Sequence, residues 1–173
     1  YWNISMEDFM EKMKKEHKKF WNPERLKMAD KLKLNKVEVY IIASLVQKEY
    51  AQKSERSTIA GVIINRLNRG MALQIDATCK FATGDFAAKR VNSTHIQFDS
   101  PYNTYKYKGL PPGPICMPEV STIDAVLNAE THNFLYYCAK PDLSGYHEFS
   151  ASFKNHVSTA KQYRNTLDQK GIH

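Results

Sequence analysis

The sequence has no apolar run approaching the roughly 20 residues of a membrane-spanning helix. Its first residues, YWNISMEDF, lack both the basic start and the apolar core of a signal peptide. No linker rich in glycine, serine or proline divides the 173 residues. We therefore predict a single domain over residues 1–173, with N-terminal helices in residues 1–36 and the core in residues 37–173. Because the chain opens without Met, we expect it to be a fragment.

Cysteine is scarce, and the common cofactor and nucleophile motifs are missing. Cys79, Cys116 and Cys138 lie far apart without CxxC spacing, which argues against a disulfide framework and a zinc site. Free thiols fit a reducing compartment best, and they also suit an exported protein that buries them. The sequence contains no GxGxxG, phosphate-loop, GxSxG or HExxH pattern. We therefore predict neither a cofactor nor a metal, and redox and phosphoryl-transfer chemistry lose their support.

Positive charge is plentiful, but it does not identify a partner. The formal charge of +7 and the pI near 9.2 suit nucleic acid, an anionic lipid surface or an acidic polysaccharide. Much of the excess lies in residues 13–19 and 24–36, where lysines alternate with acids and apolar residues. That pattern is typical of the solvated side of an amphipathic helix. Ser5 and Asn22 are good N-caps for two such helices, and we expect both helices to pack through their apolar sides.

The apolar run VEVYIIASLVQKE, residues 37–49, predicts a buried helix that ends on a carboxylate. Ile41, Ile42, Leu45 and Val46 form one stripe at helical spacing, and Glu49 lies on its continuation. An acid held against apolar side chains has a raised pKa and can carry a proton near neutral pH. The alternative is an exposed carboxylate at a frayed helix end, or one paired with a neighbouring lysine.

The following segments predict a second helix and a short strand. Residues 57–70, STIAGVIINRLNRG, have helical periodicity and end at a glycine, so Glu49 should lie near the turn of a helical hairpin. MALQID, residues 71–76, alternates in polarity like a strand, which puts Gln74 and Asp76 on one face.

The segment SPYNTYKYKGLPPGPICMPE, residues 100–119, carries five of the seven prolines and forms neither a helix nor a central strand. Its aromatic and hydrogen-bonding residues suggest a stiffened binding loop centred on residues 102–105. For Asn103 a turn-capping amide is about as plausible as a substrate contact.

FLYYCAK, residues 134–140, and YHEFSAS, residues 146–152, predict a β-hairpin that is followed by a final helix. The fold class is therefore α+β, with helices at both ends of a small antiparallel sheet and the Glu49 hairpin beside the proline-rich loop. A proton-bearing carboxylate beside aromatic and amide side chains suits a carbohydrate, and it would also suit single-stranded nucleic acid.

Four segments resemble one family in order, over roughly residues 37–160: ASLVQKE, NRLNRGMALQIDAT, SPYNTYKYKGLPPGPI, and FLYYCAK with HEFSASFKNH. They are similar to the YceG-like family. The resemblance implies a membrane-anchored bacterial enzyme that cuts nascent peptidoglycan glycan strands internally, outside the cytoplasm. Gln47 and Ile75 depart from the family pattern at positions where we expect no chemistry, and residues 1–36 rest on composition alone.

The resemblance also implies a catalytic glutamate at Glu49 and a 1,6-anhydro-muramic product. The expected partners are peptidoglycan glycan strands and the cell-wall synthesis machinery, with no nucleic acid.

Glu55 and Arg66 are expected to form a surface ion pair. His147 could face the cleft or pack in the β-hairpin. The two alternative functions are a non-catalytic glycan-binding module and a basic nucleic-acid binder. The candidates for substrate binding are Gln74, Asp76, Thr78, Tyr102, Asn103, Thr104, Tyr105 and His147.

Overall fold

A computed structural model of the protein describes residues 3–49 and 52–171. Its contacts divide the chain into two compact units, residues 1–36 and residues 37–173. The prediction that the chain folds as a single domain stays a prediction. Within the described residues, no helix combines the length and the apolar character needed to cross a bilayer.

The first unit contains helices α1 (Met6–Phe20) and α2 (Pro23–Lys31). Ser5 Oγ accepts the Asp8 N–H at 3.0 Å and Asn22 Oδ1 accepts the Arg25 N–H at 2.9 Å, so both predicted N-caps are confirmed. The prediction that α1 packs through its apolar side is wrong for the described residues, because this side remains exposed. It carries Met6, Phe9, Met10 and Met13.

The second unit is built on a helical hairpin. Helix α3 (Lys36–Lys48) buries its apolar stripe completely, and a short 3₁₀ turn (Lys53–Glu55) leads into α4 (Arg56–Asn68). Gly61 of α4 lies against the chain at Glu130 and His132: a Cβ at Gly61 would stand 2.5 Å from the Glu130 carbonyl oxygen. Only glycine permits this approach.

Residues 71–75 form no strand, so that prediction is wrong. Leu73 and Ile75 are buried while Gln74 and Asp76 are exposed, as the alternation indicated. However, Gln74 has a positive φ of 52°, and its N–H bonds to the Thr104 carbonyl of the proline-rich loop, at 3.1 Å. The segment therefore pairs with a loop, and Asp76 begins helix α5 (Asp76–Thr83).

The proline-rich loop follows the short helix α6 (Ser93–Gln97) and contains no helix or strand, as predicted. Its far end is attached to α3, because the Ile115 N–H donates to Ser44 Oγ at 3.0 Å. Helix α7 (Val120–Leu127) then packs on α4. The Thr122 hydroxyl of α7 donates to Gln47 Oε1 at 2.5 Å, which holds the end of α3.

The two described strands are β1 (Tyr136–Ala139) and β2 (His147–Ser150), which pair antiparallel. Tyr137 lies opposite Phe149, and Ala139 lies opposite His147. The last helix, α8 (Phe153–Gln169), packs against both strands. The Tyr136 ring stacks on His156 of α8, so the neighbouring Tyr137 points to the other face of the β-hairpin. Helices at both ends of a small antiparallel sheet confirm the α+β class.

Candidate active site

Glu49 directly follows α3 and is half-buried. Its Oε2 atom accepts a hydrogen bond from the Tyr137 hydroxyl of β1, at 2.9 Å. The apolar stripe of α3 continues onto Glu49 as expected, and among the described residues Glu49 forms no ion pair with Lys48. The β-hairpin therefore brings a hydroxyl to a carboxylate that comes 88 residues earlier in the chain.

Burial raises the pKa of Glu49 to about 7. The hydrogen bond from Tyr137 works against this rise because it favours the charged carboxylate. The negative charge of Asp76 raises the Glu49 pKa further, and the positive charge of Lys80 lowers it. Protonated and ionised forms of Glu49 are therefore both well populated near neutral pH, which is what a group that gives and takes a proton requires.

Asp76 is the second acid of the site. It is exposed at the start of α5, and its Oδ1 atom accepts a hydrogen bond from the Tyr105 hydroxyl at 2.5 Å. Burial, together with the charge of Asp76, raises the pKa of Tyr105, so this hydroxyl keeps its proton. Each of the two acids is thus held by a tyrosine from a different part of the chain.

Arg66 is buried and does not pair with Glu55, so the predicted surface ion pair is wrong. Its guanidinium donates to the carbonyl of Leu135, at 2.6 Å, and to that of Leu73, at 2.8 Å. It also reaches Gln74 Oε1 at 3.3 Å. Arg66 therefore connects α4 to the segment before β1 and to the segment before α5. Desolvation lowers its pKa.

Three of the predicted substrate-binding residues are buried. The Asn103 amide donates to the carbonyls of residues 95, 96 and 98 and its Oδ1 accepts the Tyr105 N–H, at 3.0 Å. Thr104 Oγ1 accepts the Ile75 N–H and lies 2.8 Å from Thr78 Oγ1. Because Asn103, Thr104 and Thr78 are at most 1% exposed, the structure favours a supporting role for them over sugar contact.

The other candidates lie closer to solvent. Gln74 and Asp76 are exposed, and Tyr102 and Tyr105 are half-buried. The Tyr102 ring packs on Phe81 of α5, with 4.9 Å between ring centroids. All four are accessible to solvent, and two of them, Asp76 and Tyr105, interact electrostatically with Glu49.

His147 packs in the β-hairpin and is paired. Its Nδ1 donates to Glu55 Oε2 at 2.9 Å, and its backbone N–H donates to Glu55 Oε1 at 3.0 Å. A side chain that is held in this way does not present a free nitrogen at Nδ1.

Sequence reasoning missed Tyr137 and Lys80. A tyrosine in an otherwise apolar strand signals a hydroxyl that needs a partner, but nothing in FLYYCAK indicates which partner it has. Lys80 stands in a short helix that was not predicted, because residues 71–76 were interpreted as a strand. In residues 3–49 and 52–171, no group of three or more His, Cys, Asp or Glu side chains could hold a metal ion.

The chain matches the model of the YceG-like family over residues 1–162. It is 35% identical to an endolytic murein transglycosylase of Bacillus subtilis over 171 residues, which cover 97% of this chain and 46% of that protein. It is 40% identical to an endolytic murein transglycosylase of Streptococcus pneumoniae over 106 residues, or 59% of this chain and 19% of that protein. The chain thus spans less than half the length of these relatives.

A crystal structure of a YceG-like protein from Listeria monocytogenes is similar in fold, with a TM-score of 0.71 and 34% sequence identity. The similarity covers 78% of this chain and 43% of that one. Sequence and structure agree, and the chain belongs to the YceG-like family.

Proposed function

We propose that this chain carries the catalytic part of a peptidoglycan lytic transglycosylase. It would cleave the β-1,4 bond between N-acetylmuramic acid and N-acetylglucosamine and would leave a 1,6-anhydro-muramic end. The observation that carries the proposal is Glu49, a half-buried acid whose pKa is raised to about 7 beside the Tyr137 hydroxyl. The relatives that are named endolytic murein transglycosylases support the choice of substrate.

In the first step, Glu49 is the general acid. Its proton passes to the glycosidic oxygen as the bond from that oxygen to C1 of the muramic acid breaks, and the leaving N-acetylglucosamine keeps the proton. Positive charge develops at C1, and the newly ionised Glu49 is held by the Tyr137 hydroxyl. Proton transfer of this kind typically contributes about 10² to 10⁴ in rate.

In the second step, the same carboxylate is the general base. It removes the proton from the C6 hydroxyl of the muramic acid, and the C6 oxygen bonds to C1. The ring closure returns Glu49 to its protonated form and consumes no water. A single glutamate suffices because the substrate supplies its own nucleophile.

Asp76 and Tyr105 would take the supporting polar roles at the substrate. The Asp76 carboxylate is exposed and is electrostatically coupled to Glu49, so its charge can favour the positive charge at C1. Gln74 and Tyr102 would contact the sugar through an amide and an aromatic face. Thr78, Asn103 and Thr104 would keep the proline-rich loop in place from inside.

Peptidoglycan as substrate requires that the site act outside the cytoplasm, at the cell wall. Within the proposal, a single-pass anchor in the plasma membrane, in a part of the protein outside this sequence, would hold the catalytic region there. Cutting strands internally as they are made would end their elongation, which suggests a contact with the cell-wall synthesis machinery.

Digestion of purified peptidoglycan in heavy-oxygen water tests the proposal. We expect new 1,6-anhydro ends by mass spectrometry, with no label and one water lighter than the ends that a hydrolase leaves. Labelled reducing ends would overturn the anhydro mechanism and make Asp76 a catalytic partner, since hydrolysis normally uses two carboxylates. Retention on sacculi without any released fragment would instead indicate a glycan-binding module.

A further inference from the structure

Three described residues between the last turn of α3 and the start of α4 lie against the β-hairpin, and two of them are hydrogen-bonded to it. Tyr137 bonds to Glu49 at the end of α3, and His147 bonds to Glu55 at the start of α4. Between them, Gly145 at the turn of the β-hairpin lies close to Gln52: a Cβ at Gly145 would stand 3.1 Å from the Gln52 amide nitrogen. Glu49 and Glu55 are therefore bonded to the same element.

The Glu55–His147 contact is the most enclosed contact between a carboxylate and a Lys, Arg or His side chain among the described residues. The Glu55 side chain is 12% exposed and that of His147 is 10% exposed. One carboxylate oxygen accepts the ring Nδ1–H and the other accepts the backbone N–H of the same residue. This two-point contact fixes both the ring and the backbone of β2 relative to α4, and a buried contact of this kind is costly to break.

His147 is also in contact with the tyrosine that holds Glu49. The two rings meet edge to face, with 5.5 Å between centroids and an angle of 87° between planes. The register explains the contact, because Ala139 lies opposite His147 and Tyr137 comes two residues before Ala139, on the same face. Rotation of the His147 ring would remove the wall against which Tyr137 packs.

We propose that Glu55 and His147 form a positioning unit that keeps the Tyr137 hydroxyl on Glu49. The proposal rests on the proposed function, because Glu49 must be the proton-transfer group for its position to matter. Neither Glu55 nor His147 contacts substrate in this arrangement. Their effect reaches the reaction through Tyr137 alone, and this route distinguishes them from the exposed candidates Gln74 and Asp76.

Kinetics of the full chain on soluble glycan strands separate positioning from binding. His147→Ala should lower kcat about ten-fold and leave KM within about two-fold, as when an interaction specific to the transition state is lost. His147→Asn should recover only part of the rate, because its amide can still bond to Glu55 but it lacks the ring that packs on Tyr137. Glu148→Ala is the matched control, since this neighbour in β2 is exposed and should retain the parental rate.

A double-mutant cycle tests whether the effect passes through Tyr137. In a Tyr137→Phe background, His147→Ala should change kcat less than two-fold, because the hydroxyl that it positions is already gone. A ten-fold loss in both backgrounds would overturn the proposal. A rise in KM with unchanged kcat would make His147 a substrate contact and would overturn it as well. A lower melting temperature of His147→Ala with parental kcat would also overturn the proposal.

A carboxyl titration keeps the test independent of cleavage. The ¹³C-carboxyl NMR signal of Glu49, assigned by its absence in Glu49→Gln, should titrate at higher pH in both Tyr137→Phe and His147→Ala, with the smaller shift in His147→Ala. If the parent chain cleaves nothing, the proposed function fails, while this titration still reports on positioning. An unchanged midpoint in His147→Ala, in a folded protein, would overturn the positioning unit alone.

Discussion

Glu49 and Asp99 each accept a hydrogen bond from a tyrosine hydroxyl, but their pKa values move in opposite directions. Tyr137 donates to Glu49 at 2.9 Å and Tyr107 donates to Asp99 at 2.8 Å. Asp99 is exposed, and its hydrogen bonds from Lys106 and Tyr107 lower its pKa. Glu49 is half-buried, and the same kind of bond only reduces the rise that burial causes.

The comparison shows that burial, and not the tyrosine, raises the Glu49 pKa into the range that proton transfer at neutral pH requires. The Asp99 side chain is 72% exposed, so water solvates its ionised form whatever the tyrosine does. At Glu49 the hydroxyl takes the place of solvent that the fold excludes. A tyrosine–carboxylate hydrogen bond therefore accompanies a lowered pKa at the exposed Asp99 and a raised pKa at the half-buried Glu49.

The largest effect is expected when Glu49 itself is replaced. Glu49→Gln should lose about 10² to 10⁴ in cleavage rate, because the amide keeps the shape and cannot carry the proton. Its folding and its retention on sacculi should match those of the parent. Fragment release measured by mass spectrometry checks this, and activity within a few-fold of the parent would rule out Glu49 as the catalyst.

Removal of the two hydroxyls separates the two sites. Tyr137→Phe should raise the Glu49 pKa, since the lost hydrogen bond had favoured the ionised form. Under the proposed function, catalysis needs protonated Glu49 and declines as pH rises through its pKa, so the alkaline limb of the rate profile should move to higher pH. Tyr107→Phe is the matched control at Asp99 and should leave the profile unchanged. Equal shifts in both variants would contradict the role of burial.

Stability should depend on pH at Glu49. Its folded pKa of about 7 lies above the ordinary value of 4.5, so the folded state binds this proton more tightly than the unfolded chain does. The resulting stabilisation is complete below pH 4.5 and is lost as pH rises through 7. Glu49→Gln should therefore gain melting temperature relative to the parent between pH 5 and pH 8. Parallel melting curves across this range would show that Glu49 is solvated.

The smallest expected effect is at Lys80. Its positive charge is the smallest of the four influences on the Glu49 pKa, and it lowers that pKa. Lys80→Met should therefore raise the pKa by less than Tyr137→Phe does. The carboxyl NMR titration measures the Glu49 pKa directly, so it resolves such a shift without a cleavage assay. Lys108→Met, which alters a lysine far along the proline-rich loop, is the charge-matched control. A shift as large as that of Tyr137→Phe would mean that the charge of Lys80 opposes the effect of burial as strongly as the hydrogen bond does.

Short-range sequence patterns predicted the helix caps, the apolar stripe of α3 and the β-hairpin. The caps at Ser5 and Asn22 needed only a side-chain oxygen next to a helix start. The stripe that ends on Glu49 needed only helical spacing, and it led to a raised pKa before any partner was known. The β-hairpin followed from a buried-strand pattern, FLYYCAK, and a partner segment, YHEFSAS, on the two sides of a turn. Each of these features depends on residues that are close in the chain, so the sequence pattern alone is enough to predict it.

Tertiary structure decided where the long-range partners lie. Tyr137 meets Glu49 across 88 residues, and Glu55 pairs with His147 instead of Arg66 across 92. Residues 71–75 alternate like a strand, but the neighbour that takes their hydrogen bonds is Thr104 in a loop. The apolar side of α1 has the pattern of a packed helix and stays exposed. Periodicity states which side chains avoid water and which atoms need partners, whereas the identity of those partners depends on how the whole chain packs.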